Sequence, residues 1–189
     1  MSELGQSVCE AIDFLDEFFK DISKLLTNVE QLMGNSDLVP YGDAGSFWYY
    51  SRAYYLPNQW LPRYFARMYV SENPSDSNAG RATELFAFFS ACLKPKNHGQ
   101  PIAVWGIGKK SGDEDIWNIL DSLGFFNIKN PLLPFVLEIQ DDKWQELPQL
   151  PATLSDFKYR SSYLVELNNS QIVKERIIDS LLDILGKCD

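Results

Sequence analysis

The chain has 189 residues and a formal net charge of −9 at pH 7, with 45% hydrophobic, 14% aromatic and 23% charged residues. That length supports one domain with a substantial core, the composition excludes general disorder, and no apolar run is long enough for a membrane span. The negative charge opposes nucleic acid and anionic lipid, because the whole-molecule field repels phosphate polymers.

Compartment is read from the ends and the cysteines. Cys9, Cys92 and Cys188 are far apart, odd in number and without metal-ligand spacing, so a disulfide framework is not expected and a reducing cytoplasm is. Glu3, Glu10 and Asp13 stand where a secretory signal would be basic, so no such signal is expected.

The clearest pattern is at the N-terminus. Leu4, Val8, Ala11, Leu15, Phe18, Ile22, Leu25, Val29 and Leu32 follow one another at spacings of four and three, which predicts a helix over residues 3 to 33 that is covered along its length. Ile12, Phe19, Leu26 and Met33 add a third apolar row, wider than the seam of a two-stranded coiled coil. Gly34 and Asn35 supply the stop. About 30 helical residues reach roughly 45 Å, whereas a compact chain of this size has a radius of gyration of about 16 Å. The helix therefore either lies along the whole body or leaves an end for another molecule to cover.

Residues 36 to 60 mix turn formers with Phe47, Trp48, Tyr49, Tyr50, Tyr54, Tyr55 and Trp60, a loop with an anchored aromatic load. The period then becomes two. Tyr64, Ala66, Met68 and Val70 alternate with Arg63, Phe65, Arg67 and Tyr69, and Leu85 to Leu93 alternates likewise, giving two neighbouring strands. Residues 102 to 107 predict a third. Ser111 and Glu114 form a capping box for a helix over 112 to 123 that stops at Gly124. Residues 135 to 139 predict a fourth strand, 157 to 167 a fifth, and Gln171 to Leu185 a closing helix. The expectation is an α+β fold in a single domain. A five-stranded sheet, mixed or antiparallel, is packed by the N- and C-terminal helices, with residues 1–35 as the long helix and 36–189 as the body.

Catalytic chemistry has little to work with. His98, the only histidine, sits in an Asn-His-Gly turn that would not hold a general base in place. Asp113, Glu114 and Asp115 are accounted for by the opening turn of a helix, and Glu138, Asp141 and Asp142 read as turn acids. The run Gly106-Ile107-Gly108-Lys109-Lys110-Ser111-Gly112 lies between a strand and a helix, where a phosphate loop belongs. Ala103 stands where the first Walker glycine should be, however, and acids occupy the helix start, so a tight strand-to-helix turn is the better reading. No catalytic residue, metal ligand or cofactor is assigned.

Two binding surfaces remain. Leu4, Val8, Leu15, Phe18, Ile22, Leu25 and Val29 form a candidate interaction helix, for a homodimer or a protein partner. Tyr54, Tyr55, Trp60, Arg63 and Arg67 form a candidate aromatic and arginine pocket for a small-molecule ligand, with Phe86 and Phe88 expected on the same sheet face as the arginines. The favoured function is a non-catalytic interaction or regulatory protein, with a ligand-binding sensor as the alternative. Nucleic acid and membrane are not expected partners.

Overall fold

A computed structural model of the protein describes residues 3–36, 38–41, 47–48, 64–71, 85–93, 95, 99–112, 119, 139, 143–147 and 149–186. The three-row apolar stripe winds into one helix, α1 (Glu3–Gly34), as its spacing predicts. Its last turn closes when the Asn35 N–H donates to the Gln31 carbonyl and the Ser36 N–H to that of Met33, and the chain then enters β1 (Leu38–Pro40).

The remaining strands are β2 (Phe47–Trp48), β3 (Tyr64–Ser71), β4 (Leu85–Cys92), β5 (Ile102–Lys110), β6 (Gln145–Glu146) and β7 (Leu154–Tyr163). They form one open sheet in the order β1-β3-β4-β5-β7-β6, with β2 also paired to β3, and every described pairing is antiparallel. The long strands are the ones the sequence reveals, β3, β4 and β7 by hydrophobic alternation and β5 by its apolar run. β1, β2 and β6 are two or three residues long, too short to show a period. Residues 135–138 of the predicted fourth strand and most of the helix predicted at 112 to 123 fall outside the described residues; Ile139 is described, outside any strand and partly buried, and Ile119 is helical and buried.

After β7 the chain makes a 3-10 turn (Leu164–Glu166), so Val165 and Leu167 belong to a turn and not to the strand their alternation predicts. The closing helix consists of α2 (Ser170–Val173), a π turn (Lys174–Ile178) and α3 (Asp179–Leu185). Asn169 caps it, its side-chain oxygen accepting from the Ile172 N–H at 3.0 Å.

Both faces of the central strands are buried, and period two sorts their side chains into two cores. One face carries Tyr69, Ala87, Phe89, Ala91, Ala103, Trp105 and Ile107. Ile22, Val29 and Met33 of α1 and Val173, Ile177 and Leu181 of the closing helix pack onto it. The N- and C-terminal helices therefore share one side of the sheet. Trp105 Nε1 donates to Ser180 Oγ at 3.1 Å, satisfying the buried indole from the helix above it.

The other face carries Ala66, Met68, Phe86, Phe88, Val104 and Phe157, and Ile119 belongs to the same cluster. Here the register corrects one expectation. Arg67 pairs with Phe89 and Tyr69 with Ala87, whereas Phe88 pairs with Met68, so Phe86 and Phe88 lie on the face opposite Arg67. Neighbouring strands add directly opposite residues to a face, and the offset of the two strands decides which ones these are.

The glycine-rich run is also placed differently. Strand β5 continues through Gly106 and Gly108 to Lys110, so these residues are sheet and not loop. A Cβ on Gly106 would come within 2.1 Å of the Lys158 carbonyl oxygen, and one on Gly108 within 2.3 Å of the Phe86 ring. The glycines make room for aromatic rings lying across the strand. Only Gly112 makes the turn, with φ at +70°.

Candidate functional site

The two halves of α1 have different surroundings. Ile22, Val29 and Met33 are buried, and Leu25, Leu26 and Leu32 pack partly against the same cluster. Residues 6–14, by contrast, are exposed throughout, and they include Val8 at 51%, Ile12 at 54% and Phe14 at 68%. Single exposed apolar residues are ordinary on protein surfaces, but here Val8 and Ile12 lie one turn apart on one edge of the apolar face and Phe14 lies on the other edge, one turn before Phe18.

The Phe14 edge is tied to the body by ring contacts. Phe14 stacks on Phe18 with centroids 6.2 Å apart and planes 16° from parallel, and Phe18 meets Phe19 edge-on at 5.6 Å. Phe19 in turn meets Phe65 of β3 edge-on at 6.4 Å. A continuous aromatic path thus runs from the exposed turns to the sheet.

Beside Phe18 a groove of about 550 Å³ opens between α1 and the start of the closing helix. Phe18, Ile22 and Leu25 form one wall, while Leu164, Val165, Leu167 and Val173 form the other. Val165 is 64% exposed, which gives the far wall an apolar rim. Asp21, Lys24, Asn28, Asn168 and Asn169 line the polar margins.

The far wall is held by charge-assisted hydrogen bonds. Glu166 accepts from Ser162 Oγ and from Arg176 Nη1, both at 2.7 Å, which fixes the 3-10 turn against the closing helix. The Ser162 hydroxyl, followed by the Arg176 guanidinium, lowers the Glu166 pKa from its ordinary value.

The near wall is fixed by an ion pair. Arg67 Nε donates to Glu30 Oε1 at 2.6 Å, and Nη2 donates to the same oxygen. Arg67 is 5% exposed and Glu30 36%, so the arginine is buried beneath the helix while the carboxylate reaches solvent. Next to it Tyr69 is buried, and burial, followed by the Glu30 carboxylate, raises the pKa of its hydroxyl and keeps it neutral.

The candidate residues separate accordingly. Val8 is exposed, Leu15, Phe18 and Leu25 are half-buried, and Ile22 and Val29 are core, while the Leu4 side chain lies outside the described residues. Tyr54, Tyr55, Trp60 and Arg63 also lie outside them, and Arg67 is engaged with Glu30. Phe14 and Val165 are part of the exposed surface but were not readable as such. Phe14 sits one row beyond the apolar stripe, where its i,i+4 spacing to Phe18 is the only signal, and Val165 continues a strand-like alternation past the end of its strand.

Among the described residues no three or more His, Cys, Asp or Glu side chains come together to hold a metal ion, and no helix is long and apolar enough to cross a membrane. His98 and the acids at 113 to 115, 138, 141 and 142 lie outside the described residues. Comparison with protein-family models, with curated proteins and with solved structures finds no match to this chain.

Proposed function

We propose that this chain is an interaction protein that receives a helix, either from a second copy or from a different protein, on the exposed half of α1 and the adjoining groove. The observation that carries this reading is the division of one amphipathic helix. The same apolar rows that bury Ile22, Val29 and Met33 in the core continue onto Val8 and Ile12 in solvent, and Phe14, one row beyond the stripe, is exposed beside Phe18. Exposed apolar surface on a helix costs solubility, and covering it by a partner recovers about 1.5–3 kcal/mol for each large side chain fully buried. Helix-in-groove recognition uses anchors one turn apart, as Val8 and Ile12 are, and likewise Phe14 and Phe18.

The test uses the full chain and the triple variant V8Q/I12Q/F14Q, whose changes fall on exposed positions. Light scattering reports self-association, and fluorescence anisotropy reports capture of a labelled amphipathic helical peptide. Either a mass above that of the monomer or peptide capture, abolished in the variant, is the expected result. A monomer at every concentration that captures no peptide contradicts the proposal.

A further inference from the structure

We infer that the occupant of this surface is a basic amphipathic helix on a different protein and not a second copy of this chain; the inference rests on the helix-receiving role proposed above. It follows from the charge along the rim of the apolar face. Between residues 3 and 24, Glu3, Glu10, Asp13, Asp16, Glu17 and Asp21 stand against only Lys20 and Lys24, a net charge of −4. Both lysines are already engaged, Lys20 with Glu17 at 2.5 Å and Lys24 with Asp21 at 2.8 Å. Among the described residues no cation pairs with Glu10, Asp13 or Asp16, and the Gln6 amide donates to Glu10 at 2.9 Å.

Helical spacing places these acids where an incoming helix would meet them. Glu10, Glu17 and Asp21 are spaced seven and four apart, so they form a row that flanks Phe14 and Phe18 and runs to the groove, where Asp21 is a lining residue; Glu17 and Asp21 bridge to Lys20 and Lys24 in exposed pairs, which are weak enough for an incoming cation to displace. Two copies of this surface pressed together would set one acidic row near the other, and like charges across an interface exclude a partner. A helix with lysine or arginine beside its apolar face meets the same row with opposite charge. Its long side chains can cover Phe14 with their methylene stems while their heads reach the carboxylates of that row. The net charge of −9 on the whole chain acts in the same direction, steering cationic partners in and holding copies apart.

The test is a competition among three labelled peptides that share one apolar helical face, flanked by lysine, by glutamine or by glutamate. Fluorescence anisotropy measures binding of each to the full chain, and light scattering is run alongside. The lysine peptide is expected to bind about tenfold tighter than the glutamine peptide and the glutamate peptide most weakly, an order that collapses on raising salt from about 50 to about 500 mM. The variant E10Q/E17Q/D21N is expected to bring the lysine peptide down to the glutamine peptide while leaving the latter unchanged. V8Q/I12Q/F14Q should abolish all three. A polar lysine-rich peptide without the apolar face should not bind. Equal binding of the lysine and glutamine peptides overturns the inference and leaves the helix-receiving role standing. Dimerisation of the full chain that V8Q/I12Q/F14Q abolishes overturns it in favour of a second copy. A monomer that binds none of the peptides overturns both.

Discussion

Arg67 on β3 reaches Glu30 on α1 with two nitrogens on one carboxylate oxygen, and this buried arginine is what the docked half of the helix sits on. The pair is asymmetric, since the arginine is 5% exposed and the carboxylate 36%. Removing the acid strands a cation in the core, whereas removing the arginine leaves a carboxylate that water can still reach. Glu30→Ala is therefore expected to cost about 3 kcal/mol and Arg67→Met about 1 kcal/mol or less. Urea denaturation of both variants measures the order, and equal costs would contradict it.

The division of α1 predicts different mutational costs along one helix. Ile22→Ala and Met33→Ala empty buried positions and should each cost about 2–5 kcal/mol. V8Q/I12Q/F14Q changes only exposed positions, so each substitution should stay within about 0.5 kcal/mol. Thermal unfolding of the three proteins reports whether the boundary falls where burial places it.

Gly106 is tested by adding a single methyl group. Its Cβ would strike the backbone of β7 at Lys158, which cannot give way as a side chain would, so Gly106→Ala should cost about 3 kcal/mol. Gly112→Ala meets no crowding but takes a left-handed conformation, with an expected cost of about 1 kcal/mol. Chemical denaturation of the two variants separates crowding from backbone strain.

Glu166 gives the groove wall a pH dependence of known sign. Its carboxyl has a lower pKa in the folded chain because Ser162 and Arg176 donate to the charged form. The stabilisation is fully present above the ordinary carboxyl value of 4.5 and is lost as pH falls through the lower folded value. The melting temperature of Glu166→Gln should lie below that of the unaltered chain at neutral pH, and the gap should narrow as pH drops below 4.5. A gap that widens in acid would contradict the assignment.

How far the sequence carries can be read from these same residues. The long helix, strands β3, β4 and β7 and the closing helix are legible because each repeats its apolar period, and β5 because residues 102–107 form a short apolar run. The sides of β3 and β4 are legible too, but their mutual register is not. Alternation says which residues of one strand share a face and leaves open which residues of the next lie opposite, so Phe86 and Phe88 were expected beside Arg67 and lie on the other face. Arginine does meet an aromatic ring, but at Arg160, whose guanidinium lies 4.9 Å from the Trp144 ring centre, while Arg67 pairs with a carboxylate 37 residues earlier in the chain. Long-range pairing of this kind has no local signature. The same holds for α1, where one unbroken stripe serves as core in one half and as exposed surface in the other. Periodicity records that a face is apolar and says nothing about which neighbour covers it.

Hydrogen exchange along α1 in the full chain, alone and with the lysine-flanked peptide, tests the central claim most directly. Strong protection is expected over residues 20–34 in the isolated chain and weak protection over 6–14, which is exposed throughout. With peptide present, protection should rise over 5–19 and over the groove wall at 164–173 and stay unchanged elsewhere. Uniform protection along the isolated helix, or no change in those two segments on adding peptide, would contradict it.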